Sequence, residues 1–476
     1  MRCLLDLNYD VLLRIFTHLD TASVLRSAQV NSVCNRLAYS KHVWLAIVLD
    51  LGSRHLLALP PRDTLLSLSS THLINEVKRL VFGPRTWAAN SSSPPTLQRS
   101  VRLSAPSSGR SFSEATLLSG DKHLLIKCGS GYEIWDIAHS RRIWARDDVL
   151  ASQIGVQVVR DGTEILIIIC TGQEPIWTTN LAQLDCKLVV SVSLLDLRTN
   201  SEKQLPPLHL PRTCPAFSDP VFADDIWAAN VKWVVEGSRG CRGVLLVNWR
   251  KATFVLLHHP IQLVHKKLLR GHLLALTRAN ALSALVLYSP PSFNSHWQSL
   301  DSTVLAAAAQ AAIPINPIAI LQRVEYPLMP LRTPLLSIHE CPLNRGSYLV
   351  STHVAGIRSE EFRGHLPHAA LLRYRLTLSK SESAPPIWEH VSSAGTLNSV
   401  LVDAFTYAGY GMSFPAHARE STPRVVCRQE CTGEGTSTVP LPAEIQTATA
   451  GCVSLSPHTG ALTVCSPRSV DVYYYE

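Results

Sequence analysis

Runs of like charge are missing from this chain of 476 residues. Its 44 Lys and Arg and 36 Asp and Glu give a net charge of +8, but nowhere do five or six of one sign follow one another. The densest basic groups, Arg141-Arg142 and Lys266-Lys267, lack the clustering and interleaved aromatics of a nucleic-acid stripe, so no nucleic-acid partner is expected. Long apolar runs are missing too. The nearest candidate span, residues 304–320, is interrupted by Gln310, Pro314, Asn316 and Pro317, and no membrane partner is expected. At the amino terminus Asp6 and Asp10 break the apolar run that a secretory leader requires.

Paired cysteines are also lacking. The twelve cysteines are scattered singly, and the closest two are Cys427 and Cys431. Without CxxC spacing there is neither a disulfide framework nor a zinc pattern, which points to reduced thiols in the cytosol or nucleus. The nineteen histidines, His258-His259 and His272 among them, form no HExxH or comparable ligand set, and no metal or other cofactor is expected. No G-x-S-x-G elbow or phosphate loop occurs, and Gly129-Ser130-Gly131 falls in a hairpin turn, so an enzyme is not the expected class. With 46% apolar and 17% charged residues the chain is not largely disordered.

What is present begins with residues 4–49, which hold four short amphipathic helices almost without glycine or proline. Asn8 is placed to cap the first, in which Val11, Leu12, Ile15, Phe16 and Leu19 recur at i, i+1, i+4, i+5 and i+8 and make a broad apolar face. Thr21 or Ser23 caps a second helix carrying Val24, Leu25 and Ala28. Asn31 or Ser32 caps a third carrying Val33, Leu37 and Ala38, and Ser40 a fourth carrying Val43, Trp44 and Ile47. A unit of roughly 40 to 60 residues buries too little of its own surface to be more than marginally stable. Each large apolar side chain left in water forgoes roughly 1.5–3 kcal/mol. The face therefore needs a partner surface, from another protein or from the rest of the chain.

The order Leu7, Asp10, Val11, Leu12, Ile15, Phe16, Leu19, Leu25, Val30 and Val43-Trp44 resembles the F-box motif. Asn8 stands where that family usually has proline, and Asn31-Ser32 where Cys-Arg is common. The resemblance implies a small all-α head, residues 1–49, that docks on a Skp-type adaptor within a cullin-RING ubiquitin ligase. The residues it assigns to adaptor binding are Leu7, Asn8, Val11, Leu12, Ile15, Phe16, Leu19, Leu25, Val30 and Trp44. The alternative is that these helices merely cap a larger domain.

Residues 50–87 read as a connector. Pro60-Pro61 is followed by a helix capped by Ser70, with Leu73, Ile74, Val77, Leu80 and Val81 on one face and Gly83-Pro84 as the stop. This helix is expected to bridge head and body, with Trp87 as an anchor. Residues 88–113 are rich in Ser and Pro, as in NSSSPP and SAPSSGRS, and read as a linker or long surface loop. Ser93-Pro94 is a dipeptide of the kind phosphorylated by proline-directed kinases. Within the linker, residues 97–103 alternate weakly, as a strand would.

From residue 114 to 476 the sequence is a succession of short β-rich runs. ATLLS, KHLLIKC, YEIWDI and RRIWA, separated by tight turns, make an antiparallel meander of four strands. The ending Trp135-Asp136-Ile137 returns as Leu195-Asp196-Leu197-Arg198 and Val247-Asn248-Trp249-Arg250, 60 residues from Asp136 to Asp196 and 52 from there to Asn248. An Asp in such a turn bonds nearby backbone amides and fixes the hairpin. Later groups include residues 263–269, 273–276 and 284–288, then 335–339, 347–353 and 369–378, then 413–415, 425–429 and 437–441. Three final strands, 451–455, 461–465 and 470–475, are one short of a four-stranded unit. An Ala-rich segment after Asp301 suits a short surface helix. At roughly 45–55 residues per unit the region holds six to eight units, and the strand groups favour seven.

The Trp135-Asp136 unit resembles divergent WD-type propellers, which implies an all-β propeller whose incomplete last blade is closed by residues 97–103. Head and propeller together have the layout of an F-box substrate receptor that presents an unknown target protein for ubiquitin transfer. The competing reading is a propeller scaffold whose head recruits a partner outside the ligase. Trp177, Trp227, Trp297 and Trp388, in or near predicted loops, are either binding anchors or wedges between blades.

Overall fold

The computed structural model describes residues 7–57, 59–87, 95–105, 111–147, 153–159, 162–171, 189–209, 216–223, 225–233, 241–258, 262–279, 282–289, 291–301, 313–314, 319–325, 335–357, 368–379, 384–396, 399–401, 406–415, 424–429, 436–439 and 453–475. Trp177, the dipeptide Ser93-Pro94 and most of the Ala-rich segment after Asp301 lie outside them.

The helical head comprises α1 (Tyr9–His18), α2 (Thr21–Ser27), α3 (Ser32–Ala38), α4 (Lys41–Ser53), α5 (Arg62–Ser67) and α6 (Ser70–Phe82). Side-chain caps fix four of the starts. Asn8 accepts the Asp10 amide at 3.3 Å, Asp20 the Ser23 amide at 2.8 Å, and Asn31 the Cys34 amide at 2.8 Å. The second cap is therefore Asp20 rather than Thr21 or Ser23: its carboxylate binds an orphan amide and also suits the positive end of the helix. Ser69, not Ser70, caps α6 through the His72 amide at 3.3 Å. At the far end Gly83 takes φ +76 and its amide donates to the Arg79 carbonyl at 2.8 Å. A Cβ there would collide with the Tyr410 ring, so both backbone and space require glycine.

The head does not end at Leu49. Helix α4 is apolar around most of its circumference and buries Val43, Trp44, Ile47, Val48 and Leu51. One side meets Leu12, Phe16, Val24 and Leu37; the other is covered by Leu57, Leu65, Leu73, Val77 and Leu80 in a single core. A helix that is greasy all round must be covered all round, which is why the segment read as a connector is the second half of the head.

Seven sheets follow among the described residues, antiparallel but for one two-residue parallel pairing. Blade 1 is β2 (Phe112–Leu117), β3 (His123–Cys128), β4 (Gly131–Asp136) and β5 (Arg141–Arg146), and blade 2 is β6 (Gln153–Val159), β7 (Glu164–Thr171), β8 (Val189–Asp196), β9 (Ser201–Gln204) and β10 (Leu208–His209). Blade 3 is β11 (Ala216–Ala223), β12 (Ile226–Trp233), β13 (Cys241–Asn248) and β14 (Thr253–His258), and blade 4 is β15 (Gln262–Leu269), β16 (His272–Ala279), β17 (Leu282–Tyr288) and, after α7 (Pro291–Asn294) and two short strands on blade 3, β18 (Gln298–Ser299) and β19 (Ile313–Pro314), β20 (Ala319–Glu325). Blade 5 is β21 (Leu335–Glu340), β22 (Ser347–Ile357), β23 (His368–Thr377) and β24 (Ile387–Thr396), and blade 6 is β25 (Ser399–Leu401), β26 (Gly411–Pro415), β27 (Arg424–Gln429) and β28 (Thr436–Val439). Blade 7 joins β29 (Val453–Leu455), β30 (Leu462–Cys465) and β31 (Ser469–Tyr475) to β1 (Leu97–Ser104) from before blade 1.

That last pairing sets Val101 opposite Val472 and Leu103 opposite Val470. Arg102 holds Asp471 at 2.6 Å and Arg99 lies 4.1 Å over the Tyr474 ring. Segment 97–103 is thus the fourth strand of the last blade.

Apolar layers join most blades to the next. Ile134 and Trp144 pack on Ile165 and Ile167; Leu166 and Val192 on Trp227 and Leu245; Ala228 and Leu246 on Leu273 and Tyr288; Leu274 and Leu287 on Val350 and Leu376. Blade 7 packs on blade 1 through Val470 and Ile126 and receives Ala408 and Tyr410 from blade 6. Arg373 of blade 5 donates to the Tyr407 carbonyl of blade 6 at 3.1 Å. Among the described residues the strands form the seven sheets of an all-β propeller behind a small all-α head.

The three sequence echoes are one structural repeat. Asp136, Asp196 and Asn248 end the third strands of blades 1, 2 and 3. Their side chains accept the amides of His139 at 3.3 Å, Arg198 and Thr199 at 2.7 and 3.1 Å, and Lys251 at 2.9 Å. Four residues on, Ser140, Asn200 and Ala252 each turn through positive φ, +47, +54 and +48. The amide bonds from Arg198 and Thr199 hold the Asp196 carboxyl below the usual carboxylate range.

Ala252 has a Cβ where the backbone prefers none. Replacing Ala252 by Gly relieves a left-handed penalty of about 1–2 kcal/mol against a smaller entropic cost, for a net gain on the order of 0.5–1 kcal/mol. The expected result is a higher denaturation midpoint with unchanged slope; an unchanged or lower midpoint contradicts the strain.

Candidate functional site

Helix α1 decides which of the candidate residues can meet a partner. Leu12 and Phe16 point inward and are 3% exposed, whereas Val11 at 45% and Ile15 at 38% point outward. Residues four apart lie one above the other on a helix, so Val11 and Ile15 form an apolar row that the other described residues leave uncovered. Leu7 and Tyr9 before them are exposed, and so is Val30, at 72%, in the turn between α2 and α3.

The ten residues assigned to adaptor binding therefore divide. Leu7, Val11, Ile15 and Val30 are available for docking. Leu12, Phe16 and Trp44 are interior residues of the head, and they hold the outward row in place. Leu19 and Leu25 are partly buried against the same core, and Asn8 caps α1. The sequence reading missed Tyr9 and Tyr39, both exposed. Their signal was weak, since neither belongs to the apolar periodicity.

A second set of contacts fixes the head on blade 5. Arg54, just after α4, donates to Glu340 Oε1 at 3.0 Å and to the Cys341 carbonyl at 2.6 Å, and reaches Asp50 at 3.3 Å. Arg345 pairs with the other oxygen of Asp50 at 2.9 Å. At the start of α2 the Ala22 amide donates to the Leu343 carbonyl at 3.0 Å and the Thr21 hydroxyl to that of Pro342 at 3.4 Å.

Trp87 makes a third attachment. It is buried between Tyr410 of blade 6, 5.4 Å away, and Tyr475 of blade 7, 5.1 Å away. The Tyr410 hydroxyl donates to the Phe82 carbonyl at 3.2 Å.

Inside the propeller, the inner strands of six blades and residues 53–56 of the head line a cavity of about 1230 Å³. Its charged lining residues are Arg54, Arg250, Lys266, Lys267 and Arg270 against Glu114, Asp225 and Glu340. Arg250 is paired with Asp225 at 2.7 Å, and Arg270 reaches Glu340 at 3.5 Å. Beside the cavity the buried Asp121 carboxylate accepts the hydroxyls of Ser456, at 2.9 Å, and Thr459, and so ties blade 1 to blade 7. Burial raises its pKa, against the lowering effect of those hydroxyls.

Of the tryptophans considered as anchors, Trp227 is buried between blades 2 and 3. Trp388 stacks on Tyr374 at 4.6 Å and Trp297 packs edge-on against Phe293 at 6.4 Å. The described three are packing residues.

Comparison with known proteins agrees at the head. The model of the F-box domain family matches residues 4–46. No curated protein matches the chain. Among solved structures, the β-propeller domain of Cps50 (Swd1) from Myceliophteria thermophila is similar, with 12% identity over 80% of this chain and 99% of that one, at a TM-score of 0.44. The WD40 domain of SCAP from fission yeast is similar as well, with 9% identity over 77% and 82% of the two chains, at a TM-score of 0.42.

The division of α1 is open to measurement. Phe16→Asp buries a charge in the head and should cost more than about 3 kcal/mol, whereas Val11→Asp and Ile15→Asp should each stay within about 1 kcal/mol of wild type. Equal costs in thermal unfolding would mean that the helix is rotated from the orientation described.

Proposed function

We propose, from an F-box domain carried on a seven-bladed propeller, that this chain is the substrate receptor of a Skp-cullin-F-box ubiquitin ligase. The head docks on the Skp-type adaptor and, through it, on the cullin-RING assembly, while the propeller selects the target protein. The observation that carries the reading is the outward row of Val11 and Ile15, with Leu7 and Val30, left uncovered on an otherwise well-packed head. Covering such side chains offers on the order of 1 kcal/mol each, a sum that favours association where three or four converge.

The propeller supports the second role by geometry. Its sheets pack face to face through apolar layers and offer loops of unequal length on a rigid base. No bond need be made or broken in this chain. The reactive step belongs to other subunits, and we place the assembly in the cytosol or nucleus, the compartments that suit cysteines spaced singly along the sequence.

Co-expression with a Skp-type adaptor should give a stable complex on size-exclusion chromatography. The double variant Val11→Asp, Ile15→Asp should lose that complex at least a hundredfold in affinity while its propeller unfolds at the wild-type temperature. No complex with the wild-type chain, or full retention by the double variant, contradicts the proposal and favours recruitment of a partner outside the ligase.

A further inference from the structure

The cavity inside the propeller carries an imbalance of charge that the receptor reading does not use. Lys267 projects into it from β15, and among the described residues it has no carboxylate partner. Its side chain is exposed within the cavity, where partial loss of hydration lowers its pKa. His458 lines the same space, and its Nδ1 is buried without a hydrogen-bond partner among the described residues. Burial, then the charges of Arg54 and Lys267, push its pKa down to about 4, so the ring is neutral near pH 7 and free to offer Nδ1–H or a lone pair.

Two guanidinium groups complete the set. Arg54 and Arg270 both reach the single carboxylate of Glu340, at 3.0 and 3.5 Å. Asp50 pairs with Arg54 and Arg345 as well, so with Lys267 four cations meet the two carboxylates of Glu340 and Asp50, and two positive charges are left over. Lys267 and Arg270 are exposed to the cavity, so the surplus positive charge is felt as mutual repulsion across a water-filled space. A divalent oxyanion relieves that repulsion, because guanidinium forks and an ammonium match its several oxygens. A cavity of about 1230 Å³ is far larger than an inorganic phosphate ion, and has room for an organic remainder.

We propose that this cavity binds a small phosphate-bearing molecule, its phosphate held by Lys267, Arg54 and Arg270 with His458 as an additional hydrogen-bond partner. Arg54 also anchors the head to blade 5, so the ligand touches the joint between the two domains and stiffens it. The inference is independent of which partner the head recruits.

Titration of inorganic pyrophosphate into the full-length chain by calorimetry, at constant ionic strength set with sodium chloride, tests it. Saturable one-to-one binding is expected, with a raised unfolding temperature. Lys267→Met should weaken binding at least tenfold, Lys267→Arg by no more than about threefold, and His458→Gln by an intermediate factor. Absence of saturable binding in the wild-type chain, or equal affinity in Lys267→Met, overturns the proposal. Should Lys267→Met fail to fold, equal affinity in both Lys267→Arg and His458→Gln together with a cavity-blocking Ser337→Trp that still binds would overturn it as well.

Discussion

The joint at Trp87 is the constraint on which the molecule depends. The chain leaves α6 through Gly83, buries Trp87 between Tyr410 and Tyr475, and then enters the propeller as β1, the outer strand of the last blade. One short segment therefore ends the head, fills the seam between blades 6 and 7, and supplies the strand that pairs with the carboxy-terminal one. Closing so long a stretch of chain is entropically expensive, and the enclosed aromatic cluster and the pairing of β1 with β31 are what offset it.

That joint is reinforced at a distance from it. Arg54 and Asp50 at the end of α4 meet Glu340 and Arg345 of blade 5, and the start of α2 bonds the carbonyls of Pro342 and Leu343. Attached at two separated places, the head does not swing as it would on a flexible tether. The consequence for a receptor is geometric: a target held on the propeller keeps a defined distance and direction from whatever docks on α1. The same attachment leaves the outer row of α1 pointing away from the propeller contacts.

Much of this was legible in the residues. The four-strand meander around Trp135-Asp136, the turn carboxylates and the anchoring Trp87 follow from local patterns, and the closing strand from a weak alternation that the missing fourth strand of the last blade singled out. The split of α1 was not, because Val11, Leu12, Ile15 and Phe16 form a stripe so broad that periodicity cannot tell its buried half from its exposed half. Outer strands were also missed. SEKQ in β9 is exposed throughout, and β24 carries an exposed Ile387, so neither shows the apolar alternation by which strands are recognised. The pair of Arg54 with Glu340 joins residues 286 apart in sequence, and no local signal announces it.

The central claim is that the outward row of α1 is a docking surface and that the propeller does not take part in that contact. Hydrogen–deuterium exchange of the full-length chain with and without a Skp-type adaptor tests it most directly. Slower exchange confined to α1 and the turn around Val30, with the blades unchanged, is the predicted result. Protection spread over the propeller loops, or no protection in α1 at saturating adaptor, would contradict it.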